Sequence, residues 1–481
     1  MLKSSVLKAD AVKITENATV YYVSENGDDG NNGTSEASPF KTMAKVNTIT
    51  ANEGQTVFVC FKRGETFRGQ LSAQNNVIYT AYGEGEKPIL TVSSENGADA
   101  SKWILMEGSD NIWQYASPLT DVGQIFFNGG ATYADKQLSN VRNGAYVTEV
   151  ADLLTDDLQF FSALDAGSVS EYNNNSADSK GTLYLRCDAG NPGAIYDSIE
   201  FAERPYVIFL PTDGKNITID NLCVKFGGAH GIAGSGITNL TVQNCEIAYI
   251  GGGIQMYQET DGVYKPLRYG NGVEINKSCD GYSVNNCWIH DIYDAGVTHQ
   301  QGSNFSKSLE FANVSYIGNL IENCTYSVEY FARYSSDGKY AVSMKNIIIS
   351  NNVMRNAGTG FGSDRPDGTY NMSAHIMGWV MSANKAENFV IKNNIFDRSK
   401  MDDLSVGSKI NSSLILTSAE DIEYLPDFEG NVYIHYNGAN FAYYGINNSD
   451  FTAKNFVKYS ADTNVSEILG DITGKAYLAP N

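Results

Sequence analysis

Two short segments hold most of the residues able to do chemistry in this 481-residue chain. They are Arg268-Tyr-Gly-Asn-Gly-Val-Glu-Ile275 and Trp288-Ile-His-Asp-Ile-Tyr-Asp-Ala-Gly-Val-Thr-His-Gln300. Together they bring the carboxyls of Glu274, Asp291 and Asp294 close to two imidazoles, a guanidinium and several aromatic rings. A third segment, Ser327-Val-Glu-Tyr330, adds Glu329. Hydrolysis of a glycosidic bond needs such a set: one protonated carboxyl to give a proton to the leaving oxygen, and one ionised carboxylate as nucleophile or base. Crowding of like charges and partial burial split the acidities of such a pair. Asp294 and Glu274 are the preferred acid and nucleophile or base, in either order, with Glu329 and Asp291 as alternates. His299, Gln300, Arg268 and Tyr269 are candidates for hydrogen bonds to sugar hydroxyls, and Trp288, Tyr293, Tyr330 or Trp379 for stacking on a sugar face. Each also has a plainer reading. An Asp ahead of a turn glycine caps bends, a Glu between apolar neighbours is an ordinary outward strand residue, and loop polar groups bond to the backbone.

The elements that position these residues follow from an internal repeat. Asn216-Ile-Thr-Ile-Asp-Asn221, Asn239-Leu-Thr-Val-Gln-Asn244, Tyr282-Ser-Val-Asn-Asn286, Ser315-Tyr-Ile-Gly-Asn319, Asn346-Ile-Ile-Ile-Ser-Asn351 and Asn388-Phe-Val-Ile-Lys-Asn393 are one phrase rewritten. Apolar side chains alternate in it, the period of a strand with one face buried, and an Asn closes each copy. A coil of roughly 22 residues with insertions of uneven length is the signature of a solenoid, here an all-β, right-handed parallel β-helix. Asn side chains stacked along the axis satisfy the backbone at each bend. Laying the repeats over one another points Val273 and Val297 inward and Glu274, Thr298 and Glu329 outward on neighbouring coils. Adjacent strands lie about 4.8 Å apart, so outward carboxylates on coils one or two apart bracket the separations that glycosidases use. Insertions after Ile254, Gln300, Phe331 and Phe361 leave from comparable points and should wall one groove.

The chain reads as an N-terminal extension (1–20), a cap with the first coils (21–99), an inserted β-rich subregion rich in Trp and Phe (100–200), the main helix with its groove (201–445) and a C-terminal cap (446–481). Gly, Asn and Tyr are abundant and charged residues make up 19% of the chain, which fits tight turns better than helices. With 55 acidic against 34 basic residues the net charge is −21, which disfavours nucleic acid, anionic membranes and polyuronates as partners. Seven Cys without CxxC spacing and five scattered His suggest neither a metal set nor a disulfide framework. Cys223, Cys245, Cys287 and Cys324 read as small core residues. The loop Gly362–Gly368, with Asp364 and Asp367, lacks the alternation and terminal Glu of an EF-hand, so Ca²⁺ has thin support and no cofactor is expected. Nucleophile elbows, phosphate loops and dinucleotide fingerprints are absent. The first 20 residues carry three Lys but no apolar run of signal-peptide length, and no stretch is long enough to span a bilayer. Residues alone do not separate a cytoplasmic enzyme from a trimmed exported one. A secreted or cell-surface setting is favoured.

The segment from Tyr21 to Thr42, a strand followed by a Gly/Asn/Asp loop and a short helix over 43–49, resembles the opening cap of right-handed parallel β-helix proteins of the pectate-lyase-like superfamily. That resemblance implies the fold and action on carbohydrate. The Tyr-Gly-Asn-Gly-Val-Glu and Tyr-Asp-Ala-Gly-Val-Thr-His-Gln pattern looks like that of β-helix proteins from carbohydrate-degrading gut bacteria. Among glycosidases of this fold it is the lacto-N-biosidase family, which releases a disaccharide from milk oligosaccharides, that the chain resembles. The family's pair of catalytic aspartates has no clear match, since Gln301 stands where a second Asp after Asp294 would be sought. A polysaccharide lyase or uronate epimerase needs cations to neutralise its substrate, and the groove segments offer few: Arg268, Arg333 and Lys339. The Asp-Pro-His-Glu run of alginate epimerases and the paired-Asp motifs of polygalacturonases are missing. A non-catalytic glycan-binding solenoid is the third class. The ranking is glycoside hydrolase on a neutral carbohydrate, then lyase or epimerase, then binding, with a partner folding domain or homo-oligomer left open.

Overall fold

The structure, a computed structural model, describes residues 2–164, 179–363, 372–380, 386–399, 411–418, 424–443 and 456–480. Asp364 and Asp367 of the proposed Ca²⁺ loop lie outside these, as does Tyr444 at the end of the last expected rung. Among the described residues no helix is long and apolar enough to cross a membrane.

Parallel strands stack in three columns, so each coil has three faces. The first face runs from Thr19–Val23 through Val57–Lys62, Val77–Tyr82, Lys215–Asp220 and Leu309–Ile317 to Asp427–Glu429. The second includes Cys223–Gly227, Glu246–Ile250, Val353–Arg355 and Val432–His435, and ends on Lys475–Leu478. The long strands Val273–Asn285, Trp288–Gln300 and Leu320–Ala332 bend around a corner and serve two faces each. On the third face Val273 pairs with Val297, Val297 with Val328 and Val328 with Ile376, all buried, which gives an unbroken valine and isoleucine column inside the coil. The core of the solenoid is built from such columns.

The repeated Asn residues do the work at the corners. Asn216, Asn239, Asn313, Asn346 and Asn388, and separately Asn221, Asn244, Asn286, Asn351 and Asn393, have φ between 54° and 60° or close below, with Asn286 at 48°. Asn tolerates this left-handed region because its short amide bonds locally. The amides also bond from coil to coil, as in Asn239 Nδ2 to Asn216 Oδ1 (3.0 Å) and Asn346 Nδ2 to Asn313 Oδ1 (3.2 Å). Asn319 differs from the other repeat anchors: Gly318 takes the left-handed turn (φ 68°), and Asn319 lies one position on, inside the coil. There it heads a second, buried ladder, Asn319, Asn352, Asn394 and Asn431. Each Oδ1 accepts the backbone N–H of the coil before it, at 2.9 or 3.0 Å, and each amide donates to the next member. Cys287 donates its N–H to the first member, and the carboxylate of Asp471 closes the last. Cys245 and Cys287 occupy the same column in earlier coils, and all seven Cys are buried thiols.

Trp103–Leu105, Ile112–Tyr115, Gln159–Leu164 and Lys180–Arg186 form a second, mostly antiparallel sheet with Trp103, Tyr115, Phe160 and Leu185 in its own core, while Val122–Phe127, within the same stretch of chain, pairs into the solenoid's sheet. The second sheet is fastened to the solenoid through Asp121, which pairs with the buried Lys136 (2.7 Å) and accepts the Ile254 N–H, and by the approach of Gly123 to the backbone of Gly251 to Gly253, where a Cβ would meet Gly251 O at 2.4 Å. The helix at the cap is shorter than expected, Met43–Val46. The insertions leave from two corners. Those after Ile250 and Arg355 precede the third face, while those after Gln300 and Ala332 follow it. Their described residues therefore flank the third face at both of its corners.

The buried ladder yields the first prediction. Asn352→Ala strips the acceptor from the Asn319 N–H and two donors from the coil, and should cost roughly 2–4 kcal/mol in chemical denaturation. Asn346→Ala, on the exposed ladder, should cost about 1 kcal/mol.

Candidate active site

Alternation along the third face turns Glu274, Thr298, Glu329 and Met377 outward in one column, with Asn276, Gln300, Phe331 and Trp379 in the next. The covering walls leave little of the acids exposed: Glu274 is 7% accessible, Glu329 6% and Asp294, at the corner just before this face, 9%. Three carboxyls are thus gathered under one roof.

Glu329 is held on one oxygen. The Trp379 indole N–H donates to its Oε1 at 2.8 Å, and its other oxygen has no partner among the described residues. Burial, the charge of Asp294 and, to a lesser degree, the charge of Glu274 push its carboxyl up to about 8, against a smaller opposing pull from the Trp379 bond and Arg333. It therefore keeps its proton at neutral pH. Arg333 lies 4.7 Å from the Phe331 ring and 5.1 Å from that of Trp379, so its cation is seated on the aromatic pair beside the acid.

Glu274 is held on its Oε2. Asn271 Nδ2 donates to it at 2.6 Å, and His230 Nδ1 lies 3.2 Å away. The same Asn271 ties two coils together, because its Oδ1 accepts the Ala295 N–H at 2.8 Å and its own N–H donates to His230 Nδ1 at 3.0 Å. Burial lowers the His230 imidazole below its ordinary range, partly offset by Glu274, and Arg204 and Asp294 act in opposite directions. Tyr206 packs its ring edgewise on His230 at 5.1 Å.

Several residues expected at the site lie elsewhere. His299 and Tyr330 sit two positions after Val297 and Val328, so they share the inward parity. His299 is fully buried, bonded to Tyr316 Oη at 2.8 Å and driven by burial to about 3, and Tyr330 packs over Gly378. Neither faces a substrate. Trp288 is on the second face, stacked on His290 at 3.8 Å, under the Lys3 ammonium at 3.6 Å and bonded to Glu322. Asp291 occupies a left-handed turn (φ 51°) and bonds His290 Nδ1 at 2.7 Å and Asn323 at 3.3 Å, which makes it a rung of a corner ladder rather than a member of the acidic cluster. Tyr293 is fully buried beneath Arg268, whose Nε donates to Gly252 O at 2.7 Å. Arg268 thereby braces the base of the Ile254–Arg268 hairpin, with half-buried Tyr269 next to it. Gln300 is half-buried and faces outward next to Thr298. Reading the segments alone missed His230, Asn271 and Arg204. One signal was available: His230-Gly231-Ile232 and Asn271-Gly272-Val273 align as the same corner of successive coils. Among the described residues no group of three or more His, Cys, Asp and Glu is placed to hold a metal ion.

No protein-family model matches the chain. Over 112 residues it is 32% identical to a lacto-N-biosidase of Bifidobacterium longum subsp. longum, a match covering 21% of this chain and 7% of that protein. Among solved structures it is similar to a glycoside hydrolase (TM-score 0.46, 9% identity, 89% of this chain and 95% of that one). It is also similar to a lacto-N-biosidase from Eubacterium ramulus (TM-score 0.38, 12% identity, 95% and 66%) and to a pectate lyase (TM-score 0.38, 12% identity, 88% and 74%).

The raised Glu329 has a consequence for stability. The folded protein keeps a proton that the unfolded chain loses near 4.5, so wild-type stability falls as pH rises from about 4.5 to about 8. Glu329→Gln should remove that slope: its thermal midpoint should exceed wild type at pH 8, with the gap closing toward pH 4.5.

Proposed function

We propose that this chain is a glycoside hydrolase acting on a neutral oligosaccharide, with Glu329 as the acid. The observation that carries the reading is the gathering of three nearly buried carboxyls, Glu274 and Glu329 on one face and Asp294 at its corner, with Glu329 pushed upward by burial and by the Asp294 charge. With Oε1 taken by Trp379, the proton belongs on Oε2, where it can pass to the glycosidic oxygen as the bond to the anomeric carbon breaks. Glu274, anchored through Oε2, has Oε1 left to take a proton from an attacking water. Two strand spacings separate Glu274 from Glu329, with Thr298 between, or about 9.6 Å between backbones. That suits a pair with a water in the gap, hence inversion at the anomeric carbon. Asp294, the charge that most raises Glu329, keeps the acid protonated and faces the positive charge that develops on the sugar. The acid role thus moves from Asp294 to Glu329, while Glu274 remains the preferred base. Three carboxyls and a net charge of −21 oppose a polyuronate. The 112-residue likeness to a lacto-N-biosidase supports milk-type glycans, released as a disaccharide, as the finer reading.

The test is a panel of neutral oligosaccharides, milk-type glycans among them, beside pectate and alginate. Reducing-sugar release without the ultraviolet absorbance of unsaturated uronate is expected. Absorbance from the acidic polymers would establish a lyase, and binding without turnover a glycan-binding solenoid. The first product seen by NMR should have the inverted anomeric configuration; retention would pass the attacking role to Asp294. Activity should fall as pH rises through about 8, and Asp294→Asn, by removing the charge that raises Glu329, should move that limb to lower pH. Glu329→Gln should lose about 10²–10⁴-fold on ordinary glycosides and much less on substrates with a nitrophenolate leaving group.

A further inference from the structure

Glu274 is held by Asn271 of its own coil, which is in turn bonded to His230 of the coil before. Its Oε2 lies between Asn271 Nδ2 (2.6 Å) and His230 Nδ1 (3.2 Å), and its Oε1 has no partner among the described residues. His230 is on the preceding coil, in register with Asn271, and the Asn271 N–H donates to its Nδ1. In the neutral imidazole that leaves the proton on Nε2, so Nδ1 faces Glu274 with a lone pair and cannot hold Oε2 as a donor. What His230 fixes is Asn271. By taking the Asn271 N–H it pins the backbone from which the Asn271 amide reaches both Glu274 and Ala295, and its ring stands against Glu274 Oε2 at 3.2 Å. The ring is itself clamped by Tyr206 at 5.1 Å and is 8% exposed, so it has little freedom of its own.

We propose that His230 is a positioning residue for the hydrolysis, acting through Asn271 to hold Glu274 with Oε1 turned to the attacking water. This rests on the reading of Glu274 as base. A misdirected base still leaves the sugar-binding surface intact, so the loss falls on turnover rather than on binding.

The experiment compares His230→Ala, His230→Asn and Glu274→Gln with wild type on one hydrolysed oligosaccharide, with thermal midpoints measured alongside. His230→Ala should lower kcat by about 10–100-fold with KM changed less than about threefold. His230→Asn should recover most of it, because an Asn carbonyl can accept the Asn271 N–H just as the Asn271 carbonyl accepts that of Ala295 on the next coil. Glu274→Gln should lose turnover altogether. If Glu274→Gln is inactive while His230→Ala keeps the wild-type kcat, the positioning role falls and the base reading stands. If Glu274→Gln remains active, the base reading falls and takes this proposal with it. A His230→Ala protein with a lowered midpoint and an Asn variant that restores the midpoint but not kcat would also overturn it, since His230 would then serve stability alone.

Discussion

Every residue of a parallel coil stands one strand spacing, about 4.8 Å, above and below residues of the same column. Within the described coils that condition rewards or punishes side chains by type. Amides gain from it, because Asn both donates and accepts and so bonds to its own kind. Branched aliphatic side chains gain from it by stacking into the continuous inner column of Val273, Val297, Val328 and Ile376. Carboxylates lose, since like charges at that spacing repel in a site that water barely reaches.

The acidic face uses that penalty. Glu274 and Glu329 share a column but are kept apart by Thr298, and Asp294 approaches from the corner instead of from the column. The remaining repulsion, with burial the larger cause, pushes the Glu329 carboxyl upward. The tryptophan bond orients that acid without supplying a charge that would strip it. Insertions flank this face at its two corners, and the base of one of them, at Ile254, is tied through Asp121 to the buried Lys136 of the second sheet.

Much of this was legible in the residues. The Asn-terminated repeat implied stacked coils, and the alternation around Val273 and Val297 placed Glu274, Thr298 and Glu329 outward, as found. The same parity condemned His299 and Tyr330, each two positions beyond an inward valine, but a polar ring invites an outward reading and the Tyr316 hydroxyl that accommodates His299 lies 17 residues away in sequence. Trp288 and Asp291 were misjudged for another reason. Alternation tells inside from outside but not which of three faces is outside, and the strand from Trp288 to Gln300 turns a corner midway. His230 was hidden because its role comes from the coil below it, through contacts with Asn271 that no local pattern announces.

The buried ladder of Asn319, Asn352, Asn394 and Asn431 has a direction. A backbone N–H from Cys287 enters at one end, and at the other Asp471, which when ionised can only accept, ends it. Each intermediate member is chemically interchangeable with its neighbours, whereas the two terminators are not. Such a column behaves like a polymer with distinct end groups. Whole coils bearing an Asn at that position can be gained or lost by duplication or deletion without leaving an unmatched group, so the fold can vary its length in evolution while both ends stay sealed.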